Sequence, residues 1–261
     1  MLISILFRSL YQADGENQRI ITVKRQTVRR VLLVISFLLF QSLLMFHLFF
    51  SPVLVLFAAS QGVVNGSLVI FILLFLSSLF LGRAFCGWIC PGSGLNELCA
   101  VGTKKRAAGG SFRRAKYVIS GVWLSAIALL ALGAGGFHSI DLFYLTGSST
   151  ITQELIMFFG VIAMIVPAAF LVGTRANCHY ICWLAPIMIA GTSIRNRIGW
   201  PALRLEANAE LCEQCGTCGT VCPMNLDVMD RVLREDLYDK ECILCGSCID
   251  ACPQGVIRYA L

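Results

Sequence analysis

Eight cysteines fall in two copies of one pattern. Cys212-Glu-Gln-Cys215-Gly-Thr-Cys218-Gly-Thr-Val-Cys222-Pro223 is followed, after a spacer, by Cys242-Ile-Leu-Cys245-Gly-Ser-Cys248-Ile-Asp-Ala-Cys252-Pro253. Each run reads C-x2-C-x2-C-x3-C-P. Two-residue gaps let a tight loop aim three thiolates at one iron–sulfur cube, and the fourth cysteine of each run reaches the other cube. The spacing therefore predicts two [4Fe-4S] clusters. Cluster I takes Cys212, Cys215, Cys218 and Cys252; cluster II takes Cys242, Cys245, Cys248 and Cys222. Gly216 and Gly246 permit the sharp turns this requires, and Pro223 and Pro253 restrict the backbone just past the last ligand. A disulfide framework or a zinc site is the competing reading, and the doubled four-cysteine pattern argues against both.

From about Leu205 to Leu261 the tail resembles a bacterial two-cluster ferredoxin, which implies a small α+β domain over residues 201–261. The pattern also implies a reducing compartment rather than a disulfide-forming one. The rest of the chain differs in kind. Over 261 residues 57% are hydrophobic and 14% charged, against about a quarter charged in soluble domains; mean hydropathy is +0.76. The net charge of +6 is split: from Pro201 onward the chain carries five Lys/Arg and ten Asp/Glu. A basic membrane part with an acidic head fits contact with anionic lipid better than nucleic-acid binding.

Residues 1–30 form a basic N-terminal segment, with Ile3–Leu10 expected at the membrane surface and no cleavable signal. Residues 31–200 are expected to form a membrane domain. Val31–Phe50 is twenty residues without a charge, enough for one span. Leu68–Leu81, Tyr117–Gly136 and Leu155–Val172 supply three more, with a kink expected at Pro167. Val53–Val64 reads as a re-entrant or interfacial piece, and Cys178–Ala190 as interfacial. Ser51–Ser67 and Phe137–Glu154 contain no Lys or Arg, so all 21 fall on one side of a four-span arrangement. That side is the cytoplasm by the positive-inside rule, which places both termini and the head there, at a prokaryotic inner membrane.

The membrane part contains a repeat. Leu81-Gly82-Arg83-Ala84-Phe85-Cys86-Gly87-Trp88-Ile89-Cys90 and Val172-Gly173-Thr174-Arg175-Ala176-Asn177-Cys178-His179-Tyr180-Ile181-Cys182 each place an apolar span, a glycine and an arginine before Cys-x3-Cys. Cys178 follows Cys86 by 92 positions, as Cys182 follows Cys90. This points to a duplicated two-helix unit of parallel topology. Cysteines four apart share a helix face at about 5–6 Å between Cβ atoms, wider than the roughly 3.5–4.5 Å of a relaxed disulfide. Two facing pairs would gather Cys86, Cys90, Cys178 and Cys182 around one point, as a third iron–sulfur cluster or a site for copper(I) or zinc. The bland alternative is four small apolar fillers at tight helix contacts.

Other residues admit two readings each. Arg83 and Arg175 either snorkel to headgroups or compensate thiolates. Trp88, Tyr180 and Trp183 are either interface aromatics or lie between redox centres. Cys99 is left over and reads as structural. The basic stretch Lys104, Lys105, Arg106, Arg113, Arg114 and Lys116, around Gly109-Gly110, either marks topology and lipid contact or docks the acidic head. Three histidines do not supply a bis-histidine haem. His47, or His138 with Asp141 and Glu154, is the weak pointer to a quinone site. No Walker loop or nucleophile triad appears.

From Leu68 to Leu261 these features resemble the membrane polyferredoxin family that includes NapH, the membrane core of NosR and, more distantly, CcoG. Cys86-Gly-Trp-Ile-Cys90-Pro91 with Gly94-Leu95 resembles the family's C-G-W-x-C-P-x-G-x-L signature. The chain departs from it at Cys182-Trp183, where the family has Cys-Pro, and at Gly92-Ser93. The resemblance implies an electron-transfer subunit between a quinol pool, or a flavin- or haem-bearing partner, and a cytoplasmic redox partner. Such a chain carries electrons within a larger oxidoreductase complex rather than catalysing bond chemistry itself. The rival readings are a copper or metal reductase or assembly factor of CcoG type, and a redox sensor.

Overall fold

A computed structural model describes residues 15–41, 51–103, 105–107, 111–144 and 151–261. Ile3–Leu10, the outer end of the first expected span with His47, Lys104, Gly109-Gly110 and the Glu154 side chain lie outside the described set.

The N-terminal two thirds is helical. Helix α1 (Gly15–Gln41) enters first, and α2 (Pro52–Ser60) follows as a short helix. Proline at its first turn needs no amide partner, and the Ser51 hydroxyl accepts the Leu54 amide at 3.3 Å as an N-cap. Strand β1 (Val63–Val64) leads into α3 (Gly66–Leu81), capped by Asn65, whose side chain accepts from Leu68 N at 3.1 Å. A one-turn helix α4 (Ala84–Trp88) and α5 (Pro91–Gly102) follow. Helix α6 (Ala115–Gly133), strand β2 (Ser139–Ile140) and α7 (Ile151–Leu171) come next. A π-helical turn (Asn177–Ile181) then carries the second cysteine pair into α8 (Leu184–Ile198). β1 and β2 pair in parallel, Val63 with Ser139 and Val64 with Ile140.

Four spans were expected. Among the described residues one helix, Phe112–Gly133, is long and apolar enough to cross a membrane; Gly66–Leu81 is apolar but shorter, and α7 is 21 residues long with some of its side chains outside the described set. At 1.5 Å per residue the sixteen residues of α3 reach about 24 Å, short of the ~30 Å hydrocarbon core. Many apolar side chains on these helices remain exposed, among them Leu73, Leu76 and Phe80 on α3 and Leu129 and Leu132 on α6.

The packing obeys the repeat. Within each half, the first long helix lies on the helix that follows the cysteine turn: α1 on α5, and α6 on α8. Between halves, the second long helix lies on the other half's post-cysteine helix: α3 on α8, and α7 on α5. Exchanging the halves leaves these four contacts unchanged, so the two cysteine turns meet at the centre. The sequence repeat foretold two equivalent units; their crossed packing is set by tertiary contacts.

The C-terminal head is built on an antiparallel pair, β3 (Arg204–Ala207) with β4 (Ile257–Ala260), in register Leu205 to Tyr259 and Ala207 to Ile257. Between them come α9 (Thr217–Thr220), α10 (Val228–Leu233) and α11 (Ser247–Asp250). A single apolar core runs from the head (Leu205, Met224, Ile257) through Cys86 and Met188 to Phe71, Val55 and Ala59 of the helical part. Burying such a surface favours one docked arrangement.

Candidate redox centres

The two cysteine runs form matching loops. In the first, Gln214 and Gly216 flank Cys215 with φ of 53° and 71°; in the second, Leu244 and Gly246 flank Cys245 with φ of 51° and 75°. Left-handed backbone at a non-glycine residue is uncommon, and here it recurs at the same place in both runs. Such strain persists where the surroundings over-determine it, and it curls each loop around a point. The turn ends in a short helix, α9 or α11, that presents the third cysteine, Cys218 or Cys248.

Each loop closes on a cavity. One is lined by Cys212, Cys215, Cys218 and Cys252, the other by Cys242, Cys245, Cys248 and Cys222. The structure thus brings together the two quartets named from the spacing, including the crossed fourth cysteines. Burial pushes the Cys242 thiol up to about 12 and raises Cys248 and Cys222. Buried soft ligands of this kind ionise when a metal centre supplies the positive charge. Loop shape, cavity and donor set all fit iron–sulfur cubes.

The cavities differ in surroundings. Cys215 is exposed, so the first quartet opens to solvent. The second is pressed against the helical part. The Trp88 indole donates to the Leu244 carbonyl at 2.9 Å, and Gln26 Nε2 to the Cys245 carbonyl at 3.1 Å. Gly87 lies so close to the Ile243 carbonyl oxygen that a Cβ there would overlap it. Arg25 pairs with Asp250. The basic stretch docks the head: Arg106 donates to the Gly219 carbonyl at 3.3 Å, Arg113 to the Met224 carbonyl at 3.3 Å, and Lys116 meets Glu241 at 2.6 Å.

Cys86, Cys90, Cys178 and Cys182 are electrostatic neighbours at the meeting point of the two halves. Cys86 Sγ is also 3.5 Å from Met188 Sδ. Burial first, then the neighbouring thiols, raises Cys90 and pushes Cys182 up to about 12. Among the described residues no three Cys, His, Asp or Glu side chains converge tightly enough for a single ion. Cys99 is buried in α5.

Neither arginine of the repeat snorkels. Arg83 is 0% and Arg175 2% exposed. Arg83 pairs with Glu241 at 2.6 Å, and Arg175 with Glu97 at 3.1 Å. A positive end is drawn inward because a carboxylate waits there. Burial works to raise both carboxyls, but Arg83 and Lys116 hold Glu241, and Arg175 and Arg29 hold Glu97, below the ordinary carboxylate range. Sequence reading passed over Glu97 and Glu241. The available signal was a carboxylate inside an apolar helix and another directly before Cys242.

His179 is 0% exposed with both ring nitrogens unpartnered; burial, then Arg113 and Lys116, brings it down to about 3, so it is neutral. Trp183 packs on Phe71 and Trp123, each with ring centroids 4.6 Å away, and Tyr180 packs beside His179 at 5.8 Å. His138 is exposed at the β1–β2 end, with Asp141 nearby in sequence.

Replacing Cys222 by alanine should empty the second cavity although Cys222 sits in the first run. Iron should fall from about eight to about four per head, with one cluster's signal retained; loss of the cluster formed by Cys212, Cys215 and Cys218 instead would reverse the crossing.

Comparison with known proteins agrees with this geometry. Residues 211–257 match the model of a 4Fe-4S dicluster domain, and residues 66–106 that of a 4Fe-4S binding domain. An uncharacterised protein of Methanocaldococcus jannaschii is 26% identical over 253 residues, covering 91% of this chain and 96% of that one. The ferredoxin-type protein NapH of Haemophilus influenzae is 23% identical over 68% of this chain and 62% of its own length. The nitrogen fixation protein FixG of Rhizobium meliloti is 26% identical over 72% and 42%. The chain therefore spans less than two thirds of either of these two relatives. No solved structure matches it. The paired loops, the two cavities and these relatives together mark an electron-transport protein with 4Fe-4S domains, similar to the polyferredoxin-type proteins, with two [4Fe-4S] clusters as its cofactors.

Proposed function

We propose that this chain conducts electrons between a membrane-side donor or acceptor and a cytoplasmic redox partner. Four spans anchor it in a prokaryotic inner membrane, in contact with lipid, with both termini and the head on the cytoplasmic side. The observation that carries this reading is the polarity of the head. The Cys222, Cys242, Cys245 and Cys248 quartet abuts the helical part through Trp88 and Gly87, while the Cys212, Cys215, Cys218 and Cys252 quartet opens to solvent. Cluster II would face the membrane and cluster I the soluble partner. Each cluster supplies one-electron exchange when bound. The chain's own residues orient the loops, exclude water from cluster II and hold the head in place. Cys86, Cys90, Cys178 and Cys182 would continue the path as a third iron–sulfur or soft-metal site. The membrane-side donor is a quinol, or a flavin or haem group on a neighbouring subunit.

The test is anaerobic reduction in liposomes by a quinol. Bleaching of the clusters' visible absorption is expected, and Cys222→Ala should abolish it while dithionite still reduces the remaining cluster. A parent protein that dithionite bleaches and no quinol does would remove the quinol end of the reading.

One observation favours a second reading. The thioether of Met188 beside the Cys86 thiol is a soft pair suited to copper(I). A metal-handling protein would bind copper there stoichiometrically and deliver electrons to it from the head.

A further inference from the structure

The second half of the repeat carries one turn that the first lacks. Shifted by 92 positions, α5 (Pro91–Gly102) would end at position 194, but α8 runs on to Ile198. The added turn meets the head. Asn196 Nδ2 donates to the Tyr238 carbonyl at 3.2 Å, and Arg195 Nη1 to the Leu203 carbonyl at 2.8 Å. Arg195 is 6% exposed, and its Nε donates to the Asn196 side chain at 3.1 Å. Among the described residues no carboxylate pairs with it; the ionisable groups it faces are Cys242, Arg204 and Tyr238. A Cβ built at Gly82 would lie 2.8 Å from Arg195 Nη1 and 3.4 Å from Leu244 Cδ1, so the guanidinium approaches the second cysteine loop across a glycine. A buried cation without a counter-ion is costly. The negative charge that can offset it here is the one Cys242 helps to hold.

The two quartets sit in opposite surroundings. Around the second loop, Arg83 and Lys116 share Glu241, and Arg29 and Arg175 share Glu97. Arg25 pairs with Asp250 and Arg231 with Asp239. Cations are thus in excess even before Arg195 is added. Arg83 and Arg175 also face the membrane-edge thiols, so part of their charge is drawn there; the cysteine that Arg195 faces is Cys242. Three neutral donors, the Trp88 indole, the Gln26 amide and the Tyr259 hydroxyl, also point at carbonyls of that loop. Beside the exposed Cys215 of the first loop the charged neighbour is a carboxylate, Glu213.

We infer that Arg195 and the cation excess around it make cluster II the higher-potential cluster of the head, so that a single electron rests there, beside the helices, and not on cluster I. This deepens the conduction reading and rests on it. An electron leaving cluster I oxidises it as cluster II is reduced, and no bond or proton changes. Reduction adds one negative charge to a cluster, so nearby positive charge stabilises the reduced form and raises the potential. Burial opposes this at cluster II, since a low dielectric disfavours the added charge. The same low dielectric strengthens the attraction of Arg195, whereas Glu213 at the exposed loop is screened by water and salt. A buried cation with no carboxylate to share it acts wholly on the loop it faces. Arg195 is a positioning residue for the electron.

The test is a mediated redox titration of the full chain in detergent, followed by electron paramagnetic resonance. The parent and the Arg195 variants should each hold about eight irons, which reports that they are folded. Two one-electron waves are expected, and Cys222→Ala, which removes cluster II, should lose the higher one. Loss of the lower wave, or a single unsplit wave in the parent, would overturn the inference. Arg195→Gln should lower the higher wave by about 59 mV or more, the one-electron equivalent of a ten-fold change in electron share, and leave the other wave in place. Arg195→Lys, which keeps the charge, should stay near the parent. A fall in both waves alike, in neither, or as large with lysine as with glutamine would remove Arg195 as the source. Unequal waves in the assigned order that no quinol reduces would count against the quinol end of the conduction reading and leave the potentials as inferred.

Discussion

Replacing Glu241 by glutamine should loosen the head from the helical part by about 3–5 kcal/mol, the usual cost of leaving a buried ionic partner uncompensated. Glutamine keeps the shape and loses the charge. Arg83, 0% exposed, and Lys116, equally buried, then face each other without the carboxylate that both touch at 2.6 Å. The measurement is limited proteolysis of the detergent-solubilised protein. The variant should release a head fragment beginning near Pro201, and the parent should not. An unchanged digestion pattern, with all head irons retained in both, would mean that apolar packing alone holds the head. The pH dependence follows from the same carboxyl. Its folded pKa is depressed, so its contribution is fully present above the unfolded value, about 4.3, and is lost as pH falls through the lower folded value. Docking should therefore not vary between about pH 6 and 9 through Glu241.

Gly87→Leu should have the second large effect, on electron transfer rather than on cluster content. The Ile243 carbonyl occupies the place of any side chain at position 87. Overpacking of this kind costs about 1–3 kcal/mol, and here it is relieved by moving the cluster II loop away from α4. The Trp88 hydrogen bond to the Leu244 carbonyl, 2.9 Å long, stretches with it. Stopped-flow reduction from the membrane side should slow by about ten-fold or more, since 1.4 kcal/mol of lost docking is a factor of ten. Reduction by dithionite from solution should be unchanged, because Cys215 stays exposed. Equal slowing by both routes would mean that the cluster itself is damaged. Trp88→Phe, which removes the indole donor and shortens the ring without adding bulk, should slow the membrane route less than Gly87→Leu.

Much of this was legible in the sequence because thiolate chemistry is local. A C-x2-C-x2-C-x3-C-P run can close only in a few ways, so it named both cavity quartets before any fold was known. The 92-residue offset between Cys86 and Cys178 likewise announced two equivalent units. Hydropathy marked four apolar stretches as spans; among the described residues one helix has the full length and composition, and the first stretch runs on past them.

Charge was the least legible property. Arg83 and Arg175 at the ends of apolar stretches read as headgroup contacts, and both are buried against carboxylates, one of them 158 positions away along the chain. An arginine's preference between water and an internal partner depends on whether a counter-charge arrives from a distant segment, and one-dimensional spacing does not carry that. The sequence by itself named the cysteine quartets that line the two cavities and the doubling of the helical unit, since these depend on residues a few positions apart or on exact repetition. Only the tertiary structure decided that the halves pack crosswise, that the Cys222, Cys242, Cys245 and Cys248 quartet abuts the helices while Cys215 is exposed, and that Arg83 and Arg175 are buried against carboxylates, because each depends on a long-range contact whose free energy exists only once both partners are in place.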